Sequence, residues 1–189
     1  IYSNGRTLYK MEPLLINSIL DSTWLRISLH TATPDIYAKI TNQPIGSNDL
    51  KFVVNGINRV IKLRNNRRKK LKVGIGLVLQ ELNCAEIPNI IKLCSSLKVD
   101  FLDLRVDCIG ITKKLTEDQV KKMLNDLKNI RDAAENKQLS FNVSFADDLL
   151  IMMDQWKKTQ LTQPKRCLIP LVRPAIDPYG IVGACDSIG

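Results

Sequence analysis

The sequence predicts an α/β protein whose strands form a parallel sheet. Its hydrophobic period switches repeatedly between the alternation of strands and the spacing of amphipathic helices. The stretches between strands are long enough for helices, which parallel neighbours need as crossovers. About four strands can be recognised in 189 residues, whereas a complete eightfold barrel takes ~250 residues. We therefore expect either a small open sheet or part of a (β/α) barrel.

Apolar, β-rich runs predict the strands, at 24–29, 71–79, 99–106 and 139–144. The turn-forming Ser3-Asn4-Gly5 indicates a further strand that lies mostly before Ile1. Within the second run, Gly74 and Gly76 share one face, because side chains alternate along a strand. A ligand lying against that face would explain them, and so would close packing of a neighbouring element.

Helical spacing of apolar residues predicts the connections. We expect helices over 12–20, from Pro34, from Asp49, after Asn83, after Thr116 and over 146–156. Asn83 with Glu86, and Thr116 with Gln119, have the spacing of a capping box, although Asn replaces the usual Ser or Thr at position 83.

Charge and hydropathy along the chain indicate which partners to expect. The formal charge is +9, and seven cations with no acid among them lie between Lys62 and Lys72. Such a run can contact nucleic acid, but it lacks interleaved aromatic residues, so we expect a solvated helix C-terminus instead and no nucleic-acid partner. The longest apolar run, 73–79, is far short of the ~20 residues of a membrane span. With no signal-peptide pattern, we expect a cytoplasmic protein without a membrane partner.

Candidate site residues lie at the carboxyl ends of the strands, where parallel sheets carry their functional groups. These positions hold Ser3 to Gly5, Ser28 and His30, Gln80 to Asn83, and Arg105 and Asp107. Each one alone is more often a turn former or a helix cap than a ligand. His30 is the only histidine, so we assign no catalytic residue and expect a turn or hydrogen-bonding role for it. The sequence has neither a Walker-type phosphate loop nor a His-rich metal signature.

The five cysteines fall into two groups. Cys84, Cys94 and Cys108 lie singly on or beside core elements, and we expect them to be structural. Cys167 and Cys185 flank a proline-rich segment, and Gly180 ahead of Cys185 has a spacing that fits a tight hairpin. No close C-x-x-C pair is present, so a disulfide scaffold is not expected.

Several segments together resemble radical S-adenosylmethionine (radical SAM) enzymes of the SPASM/twitch type. Residues 2–8 are similar to the family's TNG-x-L phrase, and residues 26–40 to its fourth-strand segment. Residues 73–79 with Asn83 resemble the fifth strand, and residues 99–105 the sixth. Cys167-x12-Gly180-x4-Cys185 fits the opening of the SPASM cysteine pattern. These segments follow the family's order over essentially the whole chain.

The resemblance implies a partial TIM-like (β/α) barrel over 1–160 and the beginning of a SPASM/twitch iron–sulfur domain over 161–189. By the same resemblance, Ser28 would contact the ribose or methionine part of S-adenosylmethionine, and Asn4 and Arg105 would help to line that pocket. Cys167 and Cys185 would ligate an auxiliary iron–sulfur cluster.

The chain departs from the family in lacking the C-x3-C-x2-C loop that holds the catalytic [4Fe–4S] cluster, and the Gly-Gly-Glu phrase. We expect both to lie before Ile1, and the remaining SPASM cysteines to lie beyond Gly189. The 189 residues would then be a fragment, inactive alone and poorly stable because of its open sheet edges.

The full enzyme, as the resemblance implies it, cleaves S-adenosylmethionine reductively to a 5′-deoxyadenosyl radical. That radical abstracts a hydrogen atom from a peptide, protein or small-metabolite substrate, and an electron donor such as a flavodoxin or ferredoxin supplies the electron. The alternative from another class is a non-catalytic α/β binding or scaffold protein with a metal-holding C-terminal hairpin. A zinc site of that kind usually has ligands two to four residues apart, much closer than Cys167 and Cys185.

Overall fold

A computed structural model describes residues 1–106, 115–146 and 149, with the backbone of residues 175–176 and 182–183. The chain divides into two compact units, Ile1–Asp154 and Gln155–Gly189. The first unit contains the parallel sheet and its helices. The second contains one short antiparallel strand pair.

The first unit is built on five parallel strands that lie side by side in chain order. They are β1 (Tyr2–Ser3), β2 (Trp24–Ser28), β3 (Lys72–Leu79), β4 (Phe101–Val106) and β5 (Asn142–Phe145). The predicted α/β fold with a parallel sheet is therefore confirmed. Parallel strands that lie side by side in chain order are also found in any part of a (β/α) barrel. In the described sheet, β1 and β5 are the two edge strands.

Helices connect the strands, as the apolar spacing predicts. They are α1 (Pro13–Leu20), α2 (Pro34–Ile40), α3 (Asp49–Asn66), α4 (Ile87–Leu97) and α5 (Glu117–Glu135), with a 3-10 helix at Leu8–Lys10. Proline occupies the first turn of α1, α2 and α4, where its missing N–H costs no hydrogen bond. The predicted capping box between Thr116 and Gln119 is present at the start of α5.

The helices form one layer on one side of the sheet. Right-handed crossovers place every helix on the same side when strand order follows chain order. Accordingly, α3 contacts α1, α2 and α4, and α4 contacts α5. The core lies between this layer and the sheet, and its strand residues are almost fully buried: Leu25, Ile27, Val73, Ile75, Leu77, Leu79, Leu102 and Leu104.

The second unit contributes β6 (Ala175–Ile176) and β7 (Val182–Gly183), which pair antiparallel with Ala175 opposite Gly183. The predicted tight turn at Gly180 lies outside the described residues. Cys108, Cys167 and Cys185 lie outside the described residues, as does most of the predicted helix at 146–156. The predicted boundary near residue 160 and the iron–sulfur assignment of 161–189 stay predictions.

None of the helices in the described parts of the chain combines the length and the apolar character that crossing a bilayer demands.

Candidate functional site

The side of the sheet opposite the helices carries the polar residues. We call this side the open face. It is formed by every second residue of β2, β3 and β4, those that do not face the helices, together with His30 just after β2: Arg26, Ser28, His30, Gly74, Gly76, Val78, Phe101, Asp103 and Arg105. Its side chains are half-buried, whereas their neighbours on the helix side are buried.

Strand register arranges these residues in rows. Ser28 pairs with Gly76, which pairs with Asp103. One row nearer the amino ends, Arg26 pairs with Gly74, which pairs with Phe101. The first row therefore places a hydroxyl and a carboxylate on either side of a glycine.

Side chains from the adjacent strands occupy the space above both glycines. A Cβ at Gly76 would overlap the Arg26 guanidinium, and a Cβ at Gly74 would overlap the Phe101 ring. Of the two explanations open from the sequence, close packing of neighbouring groups is the one observed. The Arg26 guanidinium thus lies over the row that begins with Ser28.

Asp103 is the centre of a charged cluster on the open face. Its Oδ2 lies 2.8 Å from Arg26 Nε and 3.2 Å from Arg105 Nε. Its Oδ1 accepts a hydrogen bond from the Ser144 hydroxyl at 3.2 Å. The Arg26 Nε–H group is buried and, despite the short ion pair, has no hydrogen-bond acceptor in line with it within the described residues.

His30 has the hydrogen-bonding role that was expected. Its Nδ1 accepts the backbone N–H of Val78 at 3.2 Å. Burial and the positive charge of Arg26 lower the pKa of His30 below 6.5. The imidazole is therefore neutral near pH 7, with its proton on Nε2, and links the end of β2 to β3.

Asn83 is not the N-cap that its spacing suggests, since α4 begins at Ile87 with Glu86 as its cap residue. The Asn83 amide donates to the carbonyls of His30 at 2.8 Å and Val78 at 2.9 Å. Its Oδ1 accepts the Gln80 N–H at 2.8 Å. This fully buried side chain joins the carboxyl ends of β2 and β3. Because its oxygen and nitrogen already bond these three backbone groups, the Asn83 amide does not cap the N–H groups of α4.

Glu86 ties the connection after β2 to the start of α4. Its Oε2 accepts the hydroxyls of Thr31 and Thr33, both at 2.7 Å, and Oε1 accepts the Asn89 amide at 3.1 Å. Burial by itself would raise the pKa of Glu86, but these hydrogen bonds outweigh it and lower the pKa below 4.5. A charged, buried carboxylate therefore holds the loop beside Ser28.

Ser28 and Asn4 both lie at the carboxyl edge of the sheet, Ser28 as the last residue of β2 and Asn4 directly after β1. Ser3 pairs with Ile27, so Asn4 continues β1 beside Ser28. Within the described residues, no protein group forms a hydrogen bond with the Ser28 hydroxyl. Asn4 Oδ1 accepts the Arg6 N–H at 3.1 Å, which leaves its amide nitrogen available.

Arg105 lies two strands away from Ser28 and one row further along the sheet, since it pairs with Val78. Its side chain is 41% exposed and shares Asp103 with Arg26. Arg26 and Asp103 are not among the site residues predicted from the sequence. Alternation in 24–29 and 99–106 was the available signal, because both charged residues occupy positions that alternate with the buried apolar residues of their strands.

The described cysteines are structural. Cys84 and Cys94 are buried and unpaired with each other, and burial raises the pKa of Cys94 to about 12. Within the described residues, no cluster of three or more His, Cys, Asp or Glu side chains could hold a metal ion. The predicted ligands Cys167 and Cys185 lie outside that part of the chain.

The basic run lies at the opposite, amino end of the sheet, where α3 ends and β3 begins. Arg64 is paired with Asp100, and Lys69 lies 2.5 Å from Asp21. Asp100 also accepts the Val73 N–H at 2.8 Å. Part of the run thus anchors the helix to the sheet.

The chain is similar in fold to solved structures of one known protein. No family model matches the sequence, and no curated protein matches it. Three crystal structures of Streptococcus suis SuiB match the chain at 13% identity: SuiB bound to S-adenosylmethionine with a TM-score of 0.57, SuiB without a stated ligand with 0.56, and SuiB bound to its precursor peptide SuiA with 0.55. Each match covers 87% of this chain but only 35% or 36% of SuiB. The chain therefore shares the fold of about a third of SuiB.

Proposed function

We propose that this chain binds S-adenosylmethionine at the carboxyl edge of its sheet, as part of a radical SAM enzyme. The observation that carries the proposal is the Ser28 hydroxyl, which has no hydrogen-bond partner within the described residues and lies at the end of β2, one strand from the end of β1 where Asn4 follows. The proposal is also supported by the fold that the chain shares with SuiB, which has been crystallised with S-adenosylmethionine. Ligands of open parallel sheets bind at this end of the strands.

The donors at the edge fit such a nucleotide. Ser28 offers a hydroxyl and Asn4 an amide nitrogen, both suited to ribose hydroxyls. Arg105 offers guanidinium donors suited to the methionine carboxylate, since within the described residues its Nε alone is engaged, with Asp103. The nucleotide, when bound and reduced by one electron from the catalytic cluster, would supply the group that removes a hydrogen atom from the substrate. The chain's own residues bind and orient it, and Asn83 and Glu86 hold the two connections that surround it.

We propose further that Cys167 and Cys185 ligate an auxiliary iron–sulfur cluster, for which thiolates are the usual ligands. The antiparallel pairing of β6 and β7 supports this, because it fits a hairpin that ends two residues before Cys185. The ligands of the catalytic [4Fe–4S] cluster would come from outside this chain, as would the electron donor, a flavodoxin or ferredoxin.

The substrate class we favour is a peptide. SuiB has been crystallised with its precursor peptide SuiA, and we extend that class to this chain, ahead of a protein side chain or a small metabolite.

Nucleotide binding is tested by calorimetric titration of S-adenosylmethionine under anaerobic conditions. Ser28→Ala should weaken binding about tenfold, because a hydrogen bond to the ribose is lost. Ser96→Ala is the matched control, since Ser96 is exposed on α4 and bonds only the Leu93 carbonyl. Equal affinity in both variants would contradict the role of Ser28, and absence of binding in the unmodified protein would contradict the proposal.

The cluster is tested by iron analysis after anaerobic reconstitution with iron and sulfide. Cys167→Ala and Cys185→Ala should each lower the bound iron, whereas Cys84→Ala should not, because Cys84 is buried beside α4. Retention of zinc instead of iron, together with no nucleotide binding, would favour the non-catalytic scaffold with a metal-holding hairpin.

A further inference from the structure

Two guanidinium groups on the open face share one carboxylate. Arg26 and Arg105 both pair with Asp103, and none of the other described open-face residues of β2 to β4 is acidic. His30 adds no charge near pH 7 because its pKa is lowered. The Asp103 carboxylate is therefore divided between two cations, which leaves the guanidinium donors of Arg26 only partly used.

Arg26 is the less exposed of the two arginines and has unused hydrogen-bonding capacity within the described residues. Its side chain is only 12% exposed, and a guanidinium presents five N–H donors. Its Nε–H has no aligned acceptor, and its terminal nitrogens form no hydrogen bond within the described residues. The Tyr2 ring, with its centroid 5.3 Å from Arg26 Cζ, offers only a cation–π contact. A buried donor without an aligned acceptor is costly, and the terminal nitrogens beside it are free to bind an anionic partner.

Packing holds the guanidinium in one place. It occupies the space that a side chain at Gly76 would fill, between Ser28 and Asp103 in the same row. Ion pairing to Asp103 fixes it from one side. The group is thus positioned on the open face and directed away from the helices.

We propose that Arg26 is a binding residue for a carboxylate carried by the substrate. A planar guanidinium binds a carboxylate through two parallel hydrogen bonds, and one carboxylate would accept from the donors that Asp103 leaves unused. The assignment to the substrate rests on the proposed function, in which Arg105 already serves the carboxylate of the nucleotide. Asp103 is then an internal competitor, because it occupies part of the same guanidinium.

The test uses acetate as the probe and acetamide as its neutral match. His30 is the only histidine and is electrostatically coupled to Arg26, so its imidazole NMR signal reports the site at constant pH. Acetate should shift this signal saturably and acetamide should not. Arg26→Gln should weaken acetate binding about tenfold, and Asp103→Asn should tighten it about threefold by removing the competitor.

Acetate affinity is expected to fall in Arg26→Gln and to rise in Asp103→Asn. If the cluster were only structural, both substitutions would disturb the fold and both would lower the acetate affinity. An unaltered acetate affinity in Arg26→Gln, or a weaker one in Asp103→Asn, would overturn the proposal. If Arg26→Gln does not fold, Arg26→Lys replaces it in the test. It should also weaken acetate binding, because lysine cannot form the two parallel hydrogen bonds of a guanidinium.

The source of the carboxylate is decided with S-adenosylmethionine and its decarboxylated analogue. We expect Arg26→Gln to change the affinity for neither compound by more than about twofold, a difference of less than 0.5 kcal/mol. Selective weakening of S-adenosylmethionine would assign the site to the nucleotide and overturn the substrate assignment. Acetate binding without any nucleotide binding would instead reject the proposed function and leave the carboxylate site standing.

Discussion

The two faces of the sheet are made by the same strands and differ in almost every physical respect. Toward the helices, Leu25, Ile27, Ile75 and Leu77 are fully buried. On the open face, the alternate residues of the same strands include a guanidinium, a hydroxyl and two glycines. The alternation of β-strands separates these sets within single segments of chain.

The difference shows where stability and chemistry reside. Burial of apolar side chains against the helices supplies the main favourable contribution to folding. The polar groups opposite contribute little net stability, because each ion pair offsets a desolvation cost. Substitutions on the two faces should therefore affect different measurements.

The largest effect on stability is expected on the helix face. Ile75→Ala should lower the free energy of unfolding by about 2–5 kcal/mol, because it removes buried methyl groups and leaves a cavity. Ser28→Ala on the open face should change it by about 0.5 kcal/mol or less. Denaturant titration measures both, and comparable losses would show that the faces do not differ in this way.

Gly76→Ala should lower the free energy of unfolding by about 1–3 kcal/mol, since the new Cβ overlaps the Arg26 guanidinium. Arg26→Gln should relieve part of that loss, because the shorter side chain leaves space above residue 76. A double-mutant cycle measures the coupling. Additive losses would mean that the glycine is required for some reason other than Arg26.

Glu86→Gln should lower the free energy of unfolding by about 1–3 kcal/mol at pH 7, because two threonine hydroxyls lose a charged acceptor. The folded-state pKa of Glu86 lies below 4.5, so its stabilisation is complete above that pH and declines as the pH falls through the folded-state pKa. Acid titrations of stability should be flatter in the variant. Glu117→Gln, at an 89% exposed side chain, should retain the slope of the unmodified protein.

The smallest expected effect is a change in the pKa of His30. Arg26→Gln should raise the pKa of His30, because it removes the positive charge that helps burial to lower it. Lys92→Gln, on the exposed part of α4, should leave that pKa unchanged. NMR titration of the single histidine measures both. The lowered pKa also means that His30 lowers the stability of the fold as the pH falls from 6.5 through its folded-state pKa, and this loss should shrink in Arg26→Gln.

Much of the fold could be predicted from local patterns. Strand alternation in 24–29 and 71–79 and the apolar spacing from Asp49 place their elements within a few residues of those observed. The Thr116 and Gln119 capping box depends only on residues three apart. Ser28, Asn4 and Arg105 were placed at strand ends by the same patterns together with the family resemblance, and their roles stay predictions.

The site's internal partners could not be predicted in this way. Asn83 and Glu86 have the spacing of a helix cap, yet Asn83 contacts His30, 53 residues away, and Glu86 contacts Thr31, 55 residues away. Local spacing does not distinguish a cap from a cross-link between strands, since both satisfy the same polar atoms.

Local patterns in the sequence are sufficient for the succession of strands and helices, the parallel sheet and the residues of its core, because burial on a strand or helix repeats with a short period. The contact of Arg26 with Asp103 across Gly76 and the joining of two strand ends by Asn83 follow from the folded arrangement instead. Those contacts depend on the register of neighbouring strands, which is set by the packing of the whole sheet against its helices.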